Sequence, residues 1–271
     1  MKYLGLHIPS VGDEQRAILI FLLADAGCES FEEKETELLA YIPEGSYDER
    51  RITGILDNQK VSATLEHFPD LNWNEEWEKN FNPVEISPDC YIRAPFHLPQ
   101  PGYRYEIIIE PKMSFGTAHH ETTAMMLEMM LNIDFSGKSV LDMGCGTGIL
   151  AILAHKMQAT SIVAADNDEW AYKNTLENIV QNNAGQINVI YGGVKEIRKG
   201  DFDIILANIN RNILLEQMPD YSRLLRPDGL LLISGFYEAD LPFLKEEGRK
   251  TGLLFDSFIL KNKWVAAKFK K

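Results

Sequence analysis

From Ser139 onward the sequence alternates short, nearly all-apolar runs with longer amphipathic ones, and this alternation limits the fold more than any other feature. "SVLD", "SIVAAD", "INVIY", "FDIILANI" and "LLLISGF" lack the apolar–polar period of a half-buried strand, so they read as strands covered on both faces. Between and after them, "DEWAYKNTLENIVQNN", "RNILLEQMPDYSRLL" and "EADLPFLKEEGRKTG" read as helices. Fully covered strands separated by helices make an α/β domain with a mostly parallel sheet between two helical layers. The turn "RPDG" leads into the last of these strands. "LFDSFIL" and "WVAAKFK", joined by "KNK", are expected to add an antiparallel edge, for seven strands in all.

The first third reads differently. "KYLGLHI" is a strand, "DEQRAILIFLLADAG" a helix with Gly27 at its end, "SFEEKETELLAYIP" two strands, "DERRITGILDN" a helix and "VSATLEHF" a strand. That is the split βαβ order of a small α+β ferredoxin-like domain over residues 1–67. In "DLNWNEEWEKNFNPVEI" Trp73, Trp77 and Phe81 recur every four residues, which predicts a helical linker over 68–84 and a second domain over 85–271. "CYIRAPF" and "YRYEIIIEP" read as strands leading to "MSFGTAHHETTAMMLEMMLN", whose Met125, Met126, Met129 and Met130 read as core fill.

Composition narrows the functional classes. The apolar run Ala17 to Ala24 is too short to span a bilayer, and no export signal is visible. Cys28, Cys90 and Cys145 form no CxxC pair, which points to no metal site and to a reducing cytoplasm. The net charge is −13, and residues 1–80 alone carry 17 acids against 7 bases. Such a balance disfavours sequence-specific nucleic-acid binding, which needs clustered Lys and Arg, and reads either as a generic acidic surface or as an N-terminal third that receives a basic partner.

The loop after "SVLD" is "MGCGTG", and ligands of open α/β sheets bind at the carboxyl ends of strands, where a Cβ on such a loop would intrude on the ligand. Its glycines, Gly144, Gly146 and Gly148, follow G-x-G-x-G and not the G-x-G-x-x-G of a dinucleotide site. Asp142 beside the loop would repel a diphosphate but suits a cation, and S-adenosylmethionine carries a sulfonium and an ammonium. Asp166 ends the next strand, where it can take both ribose hydroxyls, with Asn167 following it. Cys145, between two glycines, contributes backbone and a small filler side chain, and Thr147 reads as the helix start.

With these features the chain resembles the class I S-adenosylmethionine-dependent methyltransferases. It is similar in particular to the ribosomal protein L-eleven methyltransferases of the PrmA type, through "WNEEWEKNFNPVEI", "PKMSFGTAHHETT", "LDMGCGTGILAI" and "LANI". The resemblance implies a small substrate-recognition domain, a connecting helix and a catalytic domain. It implies cofactor contacts at Thr123, Gly144, Asp166 and Asn208, with Asp142, Cys145, Gly146 and Asn167 beside them. Phe115, Gly116 and Thr117 read as a lid over the methionine end of the cofactor. Two positions depart from the family pattern: Ala118 stands where a glycine is usual, and Asn210-Arg211 follows "ANI".

The implied reaction moves methyl groups to lysine ε-amines and the N-terminal α-amine of ribosomal protein L-eleven, free or on the large subunit, up to trimethylation, leaving S-adenosylhomocysteine. Alignment of donor and acceptor supplies most of such a displacement. Asn208 is placed to accept from the incoming amine, and His120, or its neighbour His119, is a candidate to relieve the proton. A lysine held neutral at pH 7 costs about 4.6 kcal/mol, against roughly 1 kcal/mol for a terminal amine. The expected state is a cytoplasmic monomer with no membrane contact. Other classes predict other features: a methyltransferase of RNA or DNA amines commonly has Asn-Pro-Pro-Tyr in place of "NINR", a nicotinamide oxidoreductase needs the missing third glycine, and a non-catalytic binding module need keep no complete site.

Overall fold

The computed structural model describes residues 3–9, 12–33, 37–68, 81–112, 114–198 and 200–271. The chain divides into two compact units, Met1–Phe81 and Asn82–Lys271. The expected linker helix, with Trp73 and Trp77, lies outside the described residues.

The first unit runs β1 (Tyr3–Pro9), α1 (Asp13–Asp25), β2 (Ser30–Glu33), β3 (Glu37–Pro43), α2 (Glu49–Asn58) and β4 (Thr64–Phe68). Its sheet has the order β2-β3-β1-β4 with every pair antiparallel, the arrangement that the split βαβ reading implies. Leu4, Leu6, Ile8, Leu38, Ala40 and Ile42 turn one face of the sheet toward Leu19 and Leu23 of α1 and Ile52 and Leu56 of α2. Gly27 ends α1 at φ 107°, and the Asp48 carboxylate caps α2 by accepting from Arg50 and Arg51 backbone N–H groups.

The second unit opens with a three-stranded sheet, β5 (Val84–Ser87), β6 (Cys90–Arg93) and β7 (Tyr105–Ile108). β5 starts at Val84, the last residue of the segment that reads as linker. Then follow α3 (Glu121–Leu131), β8 (Ser139–Met143), α4 (Ile149–Lys156), β9 (Ser161–Asp166), α5 (Glu169–Gln181) and β10 (Ile187–Tyr191). β11 (Phe202–Asn208), α6 (Arg211–Leu224), β12 (Leu225–Tyr237), α7 (Leu241–Lys250), β13 (Leu254–Lys261) and β14 (Trp264–Lys270) complete it, the expected turn "RPDG" being absorbed into β12.

The seven strands are ordered β10-β9-β8-β11-β12-β14-β13, parallel through β12 and antiparallel beyond. The final strand therefore lies inside, between β12 and β13, and β13 is the edge. Alternate residues enter opposite cores: Ile204 and Leu206 of β11 pack with Met125, Met126 and Ile152, whereas Ile205 and Ala207 pack with Leu214, Met218 and Leu244. This two-sided burial explains why the strands read as unbroken apolar runs.

Two buried asparagines, Asn178 of α5 and Asn182 at its C-cap, anchor the approach to the site. Asn182 exchanges hydrogen bonds with the Ile108 backbone at 2.9 and 2.6 Å, and Asn178 accepts from Glu110 N–H at 2.8 Å while donating to the Thr147 carbonyl at 2.9 Å. The chain leaving β7 is thereby stitched to the helical layer before it crosses the ends of the parallel strands. No helix among the described residues is long and apolar enough to cross a membrane.

Candidate active site

The strand order reverses at β8, with β9 on one side and β11 on the other, and a cavity of ≈ 920 Å³ opens there. Gly144 and Gly146 line it behind β8, Asp166, Asn167 and Asp168 behind β9, and Asn208, Ile209 and Asn210 behind β11. Because β14 runs antiparallel, its first residue, Trp264, reaches the same end of the sheet opposite Tyr237. Phe115 and His120 line the cavity from the segment that precedes α3.

The glycine spacing answers to the protein's own packing. Gly144, Gly146 and Gly148 have φ of 68°, 57° and 78°, a region costly for any residue with a Cβ. A Cβ on Gly144 would lie 2.3 Å from Ile209 Cγ2, and one on Gly146 2.3 Å from the Phe115 carbonyl oxygen. These glycines admit the loop after β11 and the segment before α3 at close range, while Gly144 and Gly146 also line the cavity. Thr147 fastens the second of these: its N–H donates to the Phe115 carbonyl at 3.0 Å and its hydroxyl to the Gly116 carbonyl at 2.6 Å. It is thus a strap anchor, and Gly148 is the residue that caps α4.

Asp166 is held at the cavity wall by Gly146 N–H donating to Oδ2 at 2.9 Å and Asp168 N–H donating to Oδ1 at 3.0 Å. Each oxygen keeps a further lone pair for a ligand hydroxyl. Across β8, Asn208 donates from Nδ2 to Thr123 Oγ1 at 3.1 Å, which leaves its Oδ1 buried and without a partner. Thr123 is itself buried in the first turn of α3 and reaches the cavity only through this bond.

Other expected residues lie away from the cavity. Asp142 is fully buried under the loop, on the face of β8 that carries Val140, where Oδ2 accepts from Ala151 N–H of α4 at 3.1 Å and Oδ1 has no partner. Burial, opposed by that hydrogen bond and reinforced by the nearby Asp166 charge, pushes its carboxyl up to about 7. The Cys145 thiol turns into the core beside Thr175 Oγ1 at 3.3 Å, and burial pushes it well above the ordinary thiol range. Gly116 and Thr117 form the strap, with Thr117 Oγ1 on His119 Nδ1 at 3.2 Å.

The histidines have structural partners. His120 caps α3, its Nδ1 accepting from Thr122 N–H at 3.3 Å, and its ring meets Phe115 and Trp264 edge-on with centroids at 5.3 and 4.9 Å. His119 donates from Nε2 to the Asn82 carbonyl at 2.8 Å. In both rings the Nδ1 lone pair already faces a donor. Ala118 takes the left-handed conformation at φ 70° that a glycine would adopt without cost, its methyl buried. Asn210 caps α6 by accepting from Ile213 N–H at 3.2 Å, and Arg211 turns to Asp240 at 2.8 Å.

Trp264, Gly235, Lys112 and Trp170 also line the cavity, and none stands out in the sequence. Gly235 carries φ 95°, and a Cβ there would lie 2.3 Å from the Ile209 carbonyl. Its only sequence signal is a glycine interrupting an apolar strand.

A family model described as Ribosomal protein L11 methyltransferase (PrmA) matches residues 14–271. The chain belongs to the PrmA family. Relatives named ribosomal protein L11 methyltransferase include one from Porphyromonas gingivalis, 46% identical over 91% of this chain and 88% of the relative. One from Bacteroides thetaiotaomicron is 43% identical over 99% of both chains. Among solved structures, a ribosomal protein L11 methylase from Lactobacillus delbrueckii subsp. bulgaricus superposes with a TM-score of 0.66 at 27% identity, covering 70% of this chain and 98% of that one. The class I methyltransferase fold expected from the glycine loop and strand order is therefore the fold of this PrmA-family chain, and the chain is a methyltransferase.

Proposed function

We propose that this chain transfers methyl groups from S-adenosylmethionine to lysine ε-amines and the N-terminal α-amine of ribosomal protein L11, leaving S-adenosylhomocysteine. The observation that carries the reading is Asn208, whose unpartnered Oδ1 sits at the end of β11, across β8 from Asp166. A buried acceptor without a donor costs roughly 1–3 kcal/mol, a cost that an entering N–H removes.

The residues present fit the proposed donor. The Asp166 carboxylate suits a ribose diol, Asn167 lies beside it, and the backbone of Gly144, Cys145 and Gly146 forms the cradle between the two cavity halves. The Phe115–Thr117 strap covers the cradle, and Thr123 orients Asn208. Asp142 acts from beneath, holding the start of α4 under the loop. When bound, the donor supplies an electrophilic methyl: its carbon–sulfur bond breaks with the pair staying on sulfur, while the amine lone pair forms the nitrogen–carbon bond.

The acceptor must arrive neutral, and His120, with Nδ1 committed to the helix cap, is better suited to shaping the wall than to taking the proton. The proton then leaves to water before transfer, and Asn208 orients the neutral amine. Residues 1–67 act as the substrate-recognition domain, where the acid excess of the first third suits a basic ribosomal protein. The proposed setting is the cytoplasm, with the chain acting as a monomer on L11, free or on the large subunit.

The test is mass spectrometry of unmethylated L11 and of large subunits after incubation with S-adenosylmethionine. Expected are methyl-sized mass steps on lysines and the N-terminus, lost in Asp166→Ala. Transfer to ribosomal RNA alone, or no transfer by a chain that binds the donor, would refute the proposal.

A further inference from the structure

On the β14 side of the cavity four rings form a continuous chain. Phe115 meets His120 edge-on at 5.3 Å, His120 meets Trp264 at 4.9 Å, and Trp264 lies against Tyr237 at 4.1 Å with 32° between planes. Three of the four line the cavity, and the fourth, Tyr237, backs Trp264 from its pairing position on β12. Phe115 and Tyr237 are 53% and 49% exposed, large values for aromatic rings clustered at a cavity mouth.

Two of the acids near the rings already have partners. The acids that line the cavity, Asp166 and Asp168, stand on the β9 side. Next to the rings, Asp240 holds the Arg211 guanidinium at 2.8 Å and accepts from Tyr237 N–H at 3.1 Å. Glu121 accepts from Asn262 at 2.9 Å. A cation entering at this side finds ring faces and edges, one unpartnered amide oxygen on Asn208, and no lining carboxylate.

We propose that this aromatic wall reads the methylation state of the acceptor, so that monomethyl- and dimethyl-lysine are better acceptors than unmethylated lysine. The inference rests on the amine-methyltransferase reading above. An unmethylated ammonium brings three N–H donors to a wall of rings where the buried unpartnered acceptor is Asn208 Oδ1, so its desolvation is poorly compensated. Each methyl removes one donor, weakens hydration and adds apolar surface against the rings, while the charge retains its attraction to them. A neutral methylated amine keeps the same advantage, with fewer N–H groups to satisfy. Successive transfers are therefore progressively favoured.

The experiment uses the full chain and one lysine peptide in four methylation states. A fifth peptide carries the neutral carbon isostere of trimethyl-lysine. In direct binding, the trimethyl peptide is expected to bind about tenfold tighter than both the unmethylated peptide and the isostere. Trp264→Leu should remove that gain, Tyr237→Leu should reduce it, and Tyr237→Phe, which keeps a ring, should retain it. In initial-rate assays kcat/KM should rise several-fold from the unmethylated to the dimethyl peptide. Equal binding of the trimethyl peptide and its isostere, or equal kcat/KM for all acceptor states, would overturn the wall and leave the amine-transfer reading standing. Transfer to no amine, in peptide or intact L11, would overturn that reading and this one with it.

Discussion

Asp142 is a carboxylate with one hydrogen bond and no counter-charge: Oδ2 accepts from Ala151 N–H, Oδ1 accepts from nothing, and the side chain is fully buried. Its folded value of about 7 lies above the ordinary 3.8, so between these limits the native state holds a proton that the unfolded chain has released. Stability therefore falls as pH rises through this window, and above pH 7 the full cost is present, on the order of a few kcal/mol. Replacing Asp142 by Asn removes the titration and keeps an acceptor for Ala151. Measured by denaturant unfolding, the Asp142→Asn variant should gain on the parent as pH rises from about 4 to about 7 and level off above that. A difference independent of pH would show that Asp142 stays charged throughout. The same residue marks a limit of sequence reading. In a strand buried on both faces, nothing in "SVLDM" says whether the acid turns to the ligand or under the loop.

The glycine loop and the Phe115 strap behave as one element, because the strap's carbonyls accept from Thr147 and pass within reach of any Cβ at Gly146. Gly146→Ala combines a left-handed φ with a 2.3 Å overlap on a backbone oxygen, which no side-chain rotation relieves. A loss of about 3 kcal/mol or more is expected, lowering the melting temperature of a unit this size by about 6–12 °C and weakening donor binding together with it. A variant that melts and binds like the parent would mean that the two segments separate at little cost. At this scale the parallel strands, the glycine loop, Asp166 and Asn208 were legible, since they rest on local patterns: apolar runs, glycine spacing and acids or amides at strand ends. Trp264 was not, because its place in the wall depends on β14 inserting between β12 and β13, a long-range pairing with no local signature. Thr147 escaped for a similar reason, its two partners lying more than thirty residues upstream at Phe115 and Gly116.

Taken as a whole, the chain separates its charge from its chemistry. The first 80 residues carry 17 acids against 7 bases, whereas the last eleven carry five lysines and no acid. The cavity itself, lined by glycines, rings, amides and the two acids behind β9, does not depend on that excess. If the acidic third draws in a basic ribosomal protein, the attraction acts between exposed charges and is screened over about 10 Å at 0.1 M salt. Raising KCl from about 50 to about 300 mM should then raise the apparent KM for L11 several-fold through slower association. On the proposed reading, the KM for S-adenosylmethionine and kcat at saturating L11 should change little. Charge-reversing Glu32 and Glu66, both exposed on the first unit's sheet, should flatten the salt dependence if that sheet takes part in the encounter. A KM for L11 indifferent to salt would instead assign recognition to apolar contacts, and the acidity of the first third to solubility alone.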